Sequence, residues 1–353
     1  MLIAVAPLLT LVTDIFAAAG CAPDEARRVA DGLVDANLTG HDSHGVVRVP
    51  RYVDWLRDGE VEAGRSIEVL SEAGALSVVD GRYGFGATVG RQAVELGIRR
   101  GLEQGTSIVA LRHAGHLGRI GQWAELALES GLVSMHFVNV AGSVLVAPFG
   151  GVDRRFSTAP IAFGFPVEGE PPVVLDFATS AVAEGKVLVA SNGGKPVPPG
   201  SLIDPEGRLS TDPATLYGPL EGTSDRDHRR GKGAIRAMGE HKGSGLALMC
   251  ELLGGILVGS GTSGPDKHRF ANGMVSVYLA PAAFGSPDAM AQEARRFVGW
   301  VRSSRPAAGG QEMLIPGDPE RRTRAERSAD GIPLAPGTWD AIRATAERLG
   351  VPS

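Results

Sequence analysis

The sequence predicts an α/β fold in which a sheet-containing middle is flanked by helical ends. Three observations predict it: helical spacing of apolar residues up to residue 60, alternation of strand and helix patterns from about Val69, and helical patterns again after Ser286. Of the 353 residues, 43% are hydrophobic and 21% are charged, which is ordinary for a globular protein with a full core. The 49 glycines are scattered at element junctions, as expected for an α/β fold with many tight turns.

Helices are predicted first along the chain. One occupies residues 23–37, with proline at its first position and acidic residues in its first turn. Another occupies residues 46–58 and places Arg48 and Tyr52 on one side, four residues apart.

The middle of the chain alternates between strands and helices. Strands are predicted at residues 76–80, 107–112, 132–139 and 172–176, and helices at residues 92–104, 119–130, 181–190 and 244–258. The last of these helices has an apolar stripe made of Leu246, Met249, Cys250, Leu253 and Leu257.

Two helices close the chain. The first has Ser286 as its cap, and the second has Thr338 as its cap with Trp339, Ile342, Ala346 and Leu349 facing inward. Because both ends of the chain are helical, we expect residues 1–70 and 286–353 to form one helical subdomain. Residues 71–285 then form the α/β domain.

Composition and charge exclude several classes of protein. The net charge is −5, and the one short basic cluster, residues 226–230, is interrupted by Asp227 and His228, so nucleic acid is not an expected partner. The apolar start at residues 2–12 has no preceding basic residue and is too short to span a membrane. Cys21 and Cys250 lie in or beside apolar helical patterns and are expected to be reduced. These features predict a soluble, cytoplasmic protein.

Two glycine-flanked motifs hold four of the eight histidines. They are residues 41–45, His-Asp-Ser-His-Gly, and residues 113–118, His-Ala-Gly-His-Leu-Gly. Histidine, with an unperturbed pKa of about 6.5, exchanges protons near neutral pH. His116 lies between a predicted strand and a predicted helix, and ligands collect at the carboxyl ends of strands in such sheets. It is a candidate general acid, although a loop histidine that caps the next helix fits the same pattern.

Arg48 and Tyr52 extend the first motif. The guanidinium of Arg48 keeps its charge and presents a planar fork that suits a carboxylate. A proton donor and a carboxylate-binding group are what an enzyme acting on small oxo- or hydroxyacids needs. Two alternatives stay open: Ser43 could simply cap a helix, and the His-x-x-His pairs could hold a metal, although no HExxH motif is present and carboxylates nearby are few.

Three further segments are weaker signals for a phosphate or nucleotide ligand. Residues 84–90 have the spacing GxGxxxG, one residue off the dinucleotide fingerprint, and are interpreted as a packing turn. Lys242 opens a predicted helix, whose N-terminus would attract phosphate. Asp176 ends a predicted strand, where it could bind a ribose, orient a histidine or cap a helix.

Seven segments along nearly the whole chain resemble the malate/L-lactate/L-sulfolactate dehydrogenase family, which includes ureidoglycolate dehydrogenase and the cyclic-imine and diketogulonate reductases. They are HDSHGVVRVPRYVDWLRDG (41–59), GHLGRIGQ (115–122), VAPFGG (146–151), STAPIAFGFP (157–166), LDFATSAVAEGKV (175–187), GEHKGSGLAL (239–248) and IPGDPE (315–320). The chain departs from the family pattern at Thr158-Ala159-Pro160, where TNP is usual, and at Ser244, where an aromatic residue is common.

The resemblance implies a mixed sheet, a nicotinamide-binding domain unlike the Rossmann fold, and NAD or NADP as cofactor. It implies that protonated His116 stabilises the developing alkoxide and hands over its proton while hydride is transferred, with Arg48 on the substrate carboxylate. Ser43, His44 and Tyr52 would line the substrate pocket. Cofactor contacts would come from Val140, Asp176, Phe177, Ala178, Lys242, Pro316, Gly317 and Asp318.

The expected function is therefore NAD(P)-dependent interconversion of a small 2-hydroxyacid and its 2-oxoacid. A reductase of a cyclic imine carboxylate, a metal-dependent hydrolase and a non-catalytic ligand-binding relative remain alternatives. A homodimer is expected from the resemblance alone.

Overall fold

The computed structural model describes residues 1–191, 196–219, 230–265, 269–307, 310 and 312–352. Its helices are α1 (Val5–Ala18), α2 (Pro23–Leu38), α3 (Val49–Arg57), α4 (Gly86–Gln104), α5 (Gly121–Leu128), α6 (Glu184–Ser191), α7 (Ala214–Tyr217), α8 (His241–Cys250), α9 (Pro287–Arg302), α10 (Asp318–Asp330) and α11 (Pro336–Arg348). Its strands are β1 (Leu2–Ile3), β2 (Glu68–Ala73), β3 (Leu76–Asp80), β4 (Thr106–Ala114), β5 (Val133–Ala141), β6 (Val146–Ala147), β7 (Pro160–Phe165), β8 (Val173–Ala178), β9 (Leu202–Ile203), β10 (Leu209–Ser210), β11 (Ala234–Arg236), β12 (Ala271–Leu279) and β13 (Ile332–Pro333).

A seven-stranded mixed sheet is the centre of the fold, which is a mixed α/β fold. Its strand order is β2-β3-β4-β12-β5-β7-β8, with β3 and β4 parallel and the other neighbouring pairs antiparallel. Helices α4 and α5 pack on this sheet and bury an apolar core with it. The carboxyl end of β4 leads directly into the loop that carries His116.

Segments from both ends of the chain pack together. Strand β1 pairs with β13, and α11 contacts α1 and α3. One apolar core joins residues of α1, α2 and α3 to Ile332, Leu334, Ile342 and Ala346. Helix α9 contributes little burial, with Ala291 as its one buried residue. The proposed division at residues 70 and 286 stays a prediction.

A smaller sheet, in the order β10-β9-β11-β6, forms a third layer beside α6 and α7. Ser180 forms a bridge to Ala237, and the amide of Ala181 donates to the carbonyl of Arg236 at 2.8 Å. Since residues 180 and 181 are bonded to the segment around Arg236 in this way, α6 begins at Glu184, three residues later than the sequence suggests.

Several predicted elements are confirmed within one or two residues at each end, including α2 and strands β3 and β4, whereas the helix predicted over residues 46–58 begins three residues late, at Val49. Besides those of α3 and α6, three more helix starts are wrong. Helix α4 starts at Gly86 instead of residue 92, α8 starts at His241, and α11 starts at Pro336 with Ala335, not Thr338, as its cap. Proline is favourable at a first helical position because its missing N–H has no partner there.

The helix predicted over residues 244–258 changes its winding. Helix α8 ends at Cys250 and a π-helical segment, Glu251–Leu257, follows it. Glycines 254 and 255 lie in this segment, and a Cβ on Gly254 would stand 2.7 Å from the amide nitrogen of Asn139. The predicted apolar stripe is therefore only partly internal: Cys250 is buried, whereas Met249 and Leu257 are 44% and 67% exposed.

Both cysteines are buried free thiols. In the described part of the chain, none of the helices combines the length and apolar character that crossing a membrane requires. Of the basic cluster at residues 226–230, residues 226–229 lie outside the described residues.

Candidate active site

His116 stands on a loop that backbone packing holds firmly. The amide of Gly115 donates to the carbonyl of Gly84 at 2.8 Å, and the amide of Leu117 donates to Oδ1 of Asn272 at 2.9 Å. A Cβ on Gly86 would lie 2.1 Å from the carbonyl oxygen of His116. The GxGxxxG segment thus lets the start of α4 approach this loop, as the packing interpretation predicts.

The segment with Ser43 and His44 folds as two successive 3₁₀ turns, Asp42–His44 and Val46–Arg48. The Asn37 side chain fixes them: its Oδ1 accepts from the amide of Val46 at 2.8 Å and its Nδ2 donates to Asp42 at 2.6 Å. Gly45 is required because a Cβ there would stand 2.1 Å from Oδ1 of Asn37.

These turns and α3 bring four of the predicted substrate-site residues together. The hydroxyl of Tyr52 lies 2.5 Å from Nδ1 of His116, and the rings of His44 and His116 stack with centroids 5.5 Å apart. Oγ of Ser43 lies 3.0 Å from Nδ1 of His44. Because Tyr52 engages Nδ1, the other ring nitrogen of His116, Nε2, is the one left for a substrate.

Arg48 is held from two sides. Its Nε donates to the carbonyl of Ser43 at 2.7 Å, and its Nη2 lies 3.4 Å from Oε2 of Glu184. Glu184 is buried, and its Oε1 accepts from the hydroxyl of Tyr217 at 2.7 Å. Neither Glu184 nor Tyr217 was predicted as a site residue. Glu184 belongs to the family-like segment at residues 175–187, whereas nothing in the sequence singles out Tyr217.

The imidazoles of the site are neutral at pH 7. Burial, reinforced by the charge of Arg48, holds the pKa of His116 well below its usual value and lowers the pKa of His44 to about 3. Burial also raises the pKa of Tyr52, so its phenol stays protonated. His116 therefore lacks its second proton in the free site and would gain it only during the expected reaction.

Most residues that the resemblance assigns to the cofactor lie along β8 or on segments bonded to its two ends, whereas Val140 lies in β5. The amide of Val174 donates to the carbonyl of Pro316 at 3.1 Å, which joins the 316–318 turn to β8. Oδ2 of Asp176 accepts from the amide of Gly121 at 2.7 Å, and burial raises the pKa of Asp176. Asp176 thus caps α5, a helix other than the one that follows it in sequence. Phe177 and Ala178 complete the strand.

Two of the predicted cofactor-binding residues, Asp318 and Val140, lie in different surroundings. Asp318 accepts from the amide of Ile315 at 2.8 Å and pairs with Arg321 at 2.6 Å, so it orders the turn around Gly317, whose φ is +98°. Val140 lies in β5, where its carbonyl accepts from Oγ of Ser263 at 3.2 Å.

Lys242 lies in the first turn of α8, close to the end of β8. The amide of Met238 donates to the carbonyl of Thr179 at 2.8 Å, which fixes this approach. The ammonium group is exposed, and a Cβ on Gly245 would have no neighbour within 4 Å. The amides of Lys242 and Gly243 already donate to the carbonyls of Gly239 and Met238, so the exposed Lys242 cation at the positive end of α8 is the group that suits the diphosphate of a dinucleotide, and in this the residues present fit the implied cofactor.

Two aromatic residues that the sequence analysis did not single out border His116. The Phe270 ring lies 5.8 Å from the His116 ring and 4.7 Å from the ring of Trp55. Trp55 could have been found because it follows Arg48 by seven residues on a helical pattern, whereas Phe270 carries no local signal.

The two His-x-x-His pairs do not converge on one point. His41 faces Glu320 at 3.4 Å and His113 faces Asp80 at 3.1 Å, while His44 and His116 share the site described above. Within the described ranges, no group of three or more histidine, cysteine or acidic residues is arranged to hold a metal ion.

Known proteins match this chain over nearly its whole length, in sequence and in structure. A family described as "Malate/L-lactate dehydrogenase" matches residues 3–343. Hydroxycarboxylate dehydrogenase B of Escherichia coli is 41% identical over 351 residues, which cover 98% of this chain and 93% of the relative. The structure of malate dehydrogenase from Pyrococcus horikoshii superposes with a TM-score of 0.87 at 27% identity and covers 100% of this chain and 97% of that one. The delta1-piperideine-2-carboxylate reductase from Pseudomonas syringae gives a TM-score of 0.81 at 30% identity over 98% of this chain and 100% of that one.

Proposed function

Because the chain belongs to the malate/L-lactate dehydrogenase family of enzymes, we propose that it interconverts a small 2-hydroxyacid and its 2-oxoacid with NAD or NADP. The observation that carries this proposal is the convergence of Tyr52, His44 and Arg48 around His116. It joins a proton-exchanging group to a carboxylate-binding group in one site.

Arg48 binds the substrate carboxylate. Its guanidinium is already oriented by the Ser43 carbonyl and by Glu184, so little side-chain freedom is lost when the substrate pairs with it. A substrate held in this way presents its C2 oxygen to Nε2 of His116.

His116 moves the proton. Neutral His116 accepts the hydroxyl proton when a hydroxyacid is oxidised, and Tyr52 holds the ring through Nδ1. In the reverse direction the substrate carboxylate offsets the charge of Arg48, which favours protonation of His116 before it donates to the alkoxide. Acid–base catalysis of this kind contributes roughly 10²–10⁴-fold.

A nicotinamide cofactor supplies or accepts the hydride. Asp176, Phe177 and Ala178 at the end of β8 would hold it, together with Val140, the turn Pro316–Gly317–Asp318, and Lys242 on its diphosphate. The proposed binding mode is not that of a Rossmann fold. Support comes from the sheet, where β3 and β4 form the one parallel pair among its seven described strands.

Reduction of a panel of 2-oxoacids, followed by the absorbance of NADH and of NADPH, tests the function. In His116→Gln we expect turnover to fall at least about 10²-fold while the Kd for the cofactor, measured by calorimetry, stays within a factor of two. A loss of cofactor affinity as large as the loss of turnover would contradict the role of His116.

A cyclic imine carboxylate is a second candidate substrate. The similarity to the piperideine-carboxylate reductase favours it, because an imine needs the same carboxylate clamp and the same proton donor. Adding cyclic imine acids to the panel separates the two candidates through the ratio of their kcat/KM values.

We further propose a cytoplasmic homodimer. Its support is an exposed apolar row on α8 and the π-helical segment, which consists of Leu248, Met249, Leu252, Ile256 and Leu257. Exposed apolar rows of this kind mark contacts between proteins.

A further inference from the structure

We propose that Glu184 limits the substrates of this site to acids with a single negative charge, namely monocarboxylic 2-oxoacids and 2-hydroxyacids. The inference rests on the proposed function and names the charge of the substrate that the same site accepts. A buried carboxylate that faces two guanidinium groups, one of them the proposed carboxylate-binding group, carries it.

Glu184 and two arginines set the charge of the carboxylate-binding part of the site. Oε2 of Glu184 lies 3.4 Å from Nη2 of Arg48 and 4.0 Å from Nη1 of Arg51, and only 7% of its side chain is exposed. Contact with two guanidinium groups favours the ionised form of a buried carboxyl group. These three groups together carry one net positive charge, which the one carboxylate of a monocarboxylic acid neutralises.

The carboxylate of Glu184 is fixed in this position. Its Oε1 accepts from the hydroxyl of Tyr217 at 2.7 Å, and burial, reinforced by the charge of Glu184, raises the pKa of Tyr217, so the phenol stays protonated. Helix α6 begins at Glu184 and lies so close to the Ser43 turn that a Cβ on Gly185 would stand 2.4 Å from Cβ of Ser43. A negative charge at the first position of a helix is also favourable. These contacts hold the Glu184 carboxylate beside Arg48.

The charge of Glu184 acts on the groups that surround the substrate. Burial lowers the pKa of His44 to about 3, and the Glu184 carboxylate shifts this pKa in the opposite direction. The His44 ring in turn stacks on His116, the proposed proton-transfer residue, with centroids 5.5 Å apart. A substrate held between Arg48 and His116 therefore lies within range of this charge.

A second negative charge on the substrate is repelled by Glu184. Between two unit charges roughly 10 Å apart, at an effective dielectric constant of about 20, this repulsion changes an affinity about tenfold. The charge of Arg51, which would otherwise attract a second substrate carboxylate, is offset by the same Glu184. The site therefore favours a monocarboxylic acid over a dicarboxylic acid of the same length.

The test compares kcat/KM at saturating cofactor for oxaloacetate and for 2-oxobutanoate, two four-carbon acids that differ by one carboxylate. We expect the wild-type protein to prefer 2-oxobutanoate, and Glu184→Gln to raise the oxaloacetate-to-2-oxobutanoate ratio roughly tenfold. Arg51→Gln changes the local charge in the opposite sense, so it should lower this ratio.

Three further variants separate the effect of charge from that of structure. Glu184→Asp keeps the charge, and Tyr217→Phe removes a hydrogen bond to Glu184 but no charge, so both should keep the ratio within about threefold even where kcat/KM falls for both acids. Glu103→Gln, on the exposed side of α4, should leave the ratio and the turnover unchanged. A rise in Tyr217→Phe as large as in Glu184→Gln would assign the effect to the lost contact and would overturn the inference.

Other outcomes also overturn the inference. A wild-type preference for oxaloacetate, or a ratio that does not rise in Glu184→Gln, would remove the charge selection, while reduction of either acid leaves the proposed function intact. If Glu184→Gln does not fold, a ratio that is unchanged or raised in Arg51→Gln overturns the inference. If no oxoacid is reduced with either cofactor, the proposed function fails. In that case, a ratio of the calorimetric affinities for succinate and butanoate that is the same in wild type and in the variants Glu184→Gln and Arg51→Gln would overturn the charge selection too.

Discussion

His116 shows how the neighbourhood of one residue sets its chemistry. Its ring is hydrogen-bonded by Tyr52 and stacked on His44, and burial together with the charges of Arg48 and Arg51 holds its pKa well below 6.5. The residue is thus poised as a base in the free protein. In the proposed reaction it becomes an acid only when a substrate anion offsets the nearby cations.

This arrangement predicts the pH dependence of oxoacid reduction. In the proposed mechanism, reduction needs protonated His116, so kcat/KM falls as the pH rises through the pKa of His116. This descending limb of the pH profile lies below pH 6.5. Arg51→Gln removes a positive charge that lowers this pKa, so the limb should move to higher pH. Arg343→Gln, on the exposed side of α11, should leave the pH profile where it is. A limb that moves to lower pH in Arg51→Gln would contradict this account.

The sequence predicted the residues of the site that lie in short motifs and missed those that reach it through the fold. His116, Ser43, His44, Arg48 and Tyr52 stand beside glycines or on one helical face, which are local signals. Tyr217 reaches the site through its hydrogen bond to Glu184, 33 residues away. Phe270 reaches it because β12 lies between β4 and β5, which no local pattern encodes.

At the scale of elements, the start of α4 was predicted at the wrong residue, and the same part of the helix packs against the His116 loop. Gly86 and Gly90 are poor helix formers, so residues 84–90 resemble a turn. In the structure the helix begins at Gly86, and glycine is needed inside it because a Cβ on Gly90 would lie 2.7 Å from Cδ2 of Leu117. Packing against the His116 loop overrides helix propensity.

Gly86→Ala should therefore damage catalysis more than folding. The added Cβ would meet the carbonyl oxygen of His116 at 2.1 Å and push the loop away, and a displacement of about 1 Å can cost roughly 10²-fold in turnover. We expect a loss of that order in kcat, with circular dichroism still showing a folded protein. Retained wild-type kcat in Gly86→Ala would show that this approach does not position His116.

Gly299→Ala is the matched control for that variant. Gly299 also lies in a helix, α9, but a Cβ there would have no neighbour within 4 Å. We expect unchanged kcat and a gain in the free energy of unfolding of about 0.5–1 kcal/mol, since alanine loses less backbone entropy than glycine.

At the scale of the molecule, the alternation of helices and strands predicted the α/β class but not the arrangement of the strands. Strand β12 follows β5 by about 130 residues in sequence, yet it pairs along its whole length with β5 and from Asn272 onward, with one irregularity, with β4. Strand pairing over such distances in sequence depends on the apolar surface that all strands of the sheet bury together, not on the pattern of any single segment. The same insertion brings Asn272 next to the His116 loop, so the topology also builds the site.

The exposed row on α8 and the π-helical segment is the large-scale feature that a single chain leaves unexplained. Ile256 and Leu257 are 61% and 67% exposed, and water contact at so many apolar side chains is unfavourable unless another surface covers them. If a second copy covers them, replacing both by lysine should convert the dimer to a monomer in analytical ultracentrifugation at micromolar concentration. Leu209→Lys, which charges a 63% exposed leucine on β10, should stay dimeric. If the wild-type protein is a monomer, or if the double variant remains dimeric, this row is not the dimer interface. The row would then have to be covered by some other partner.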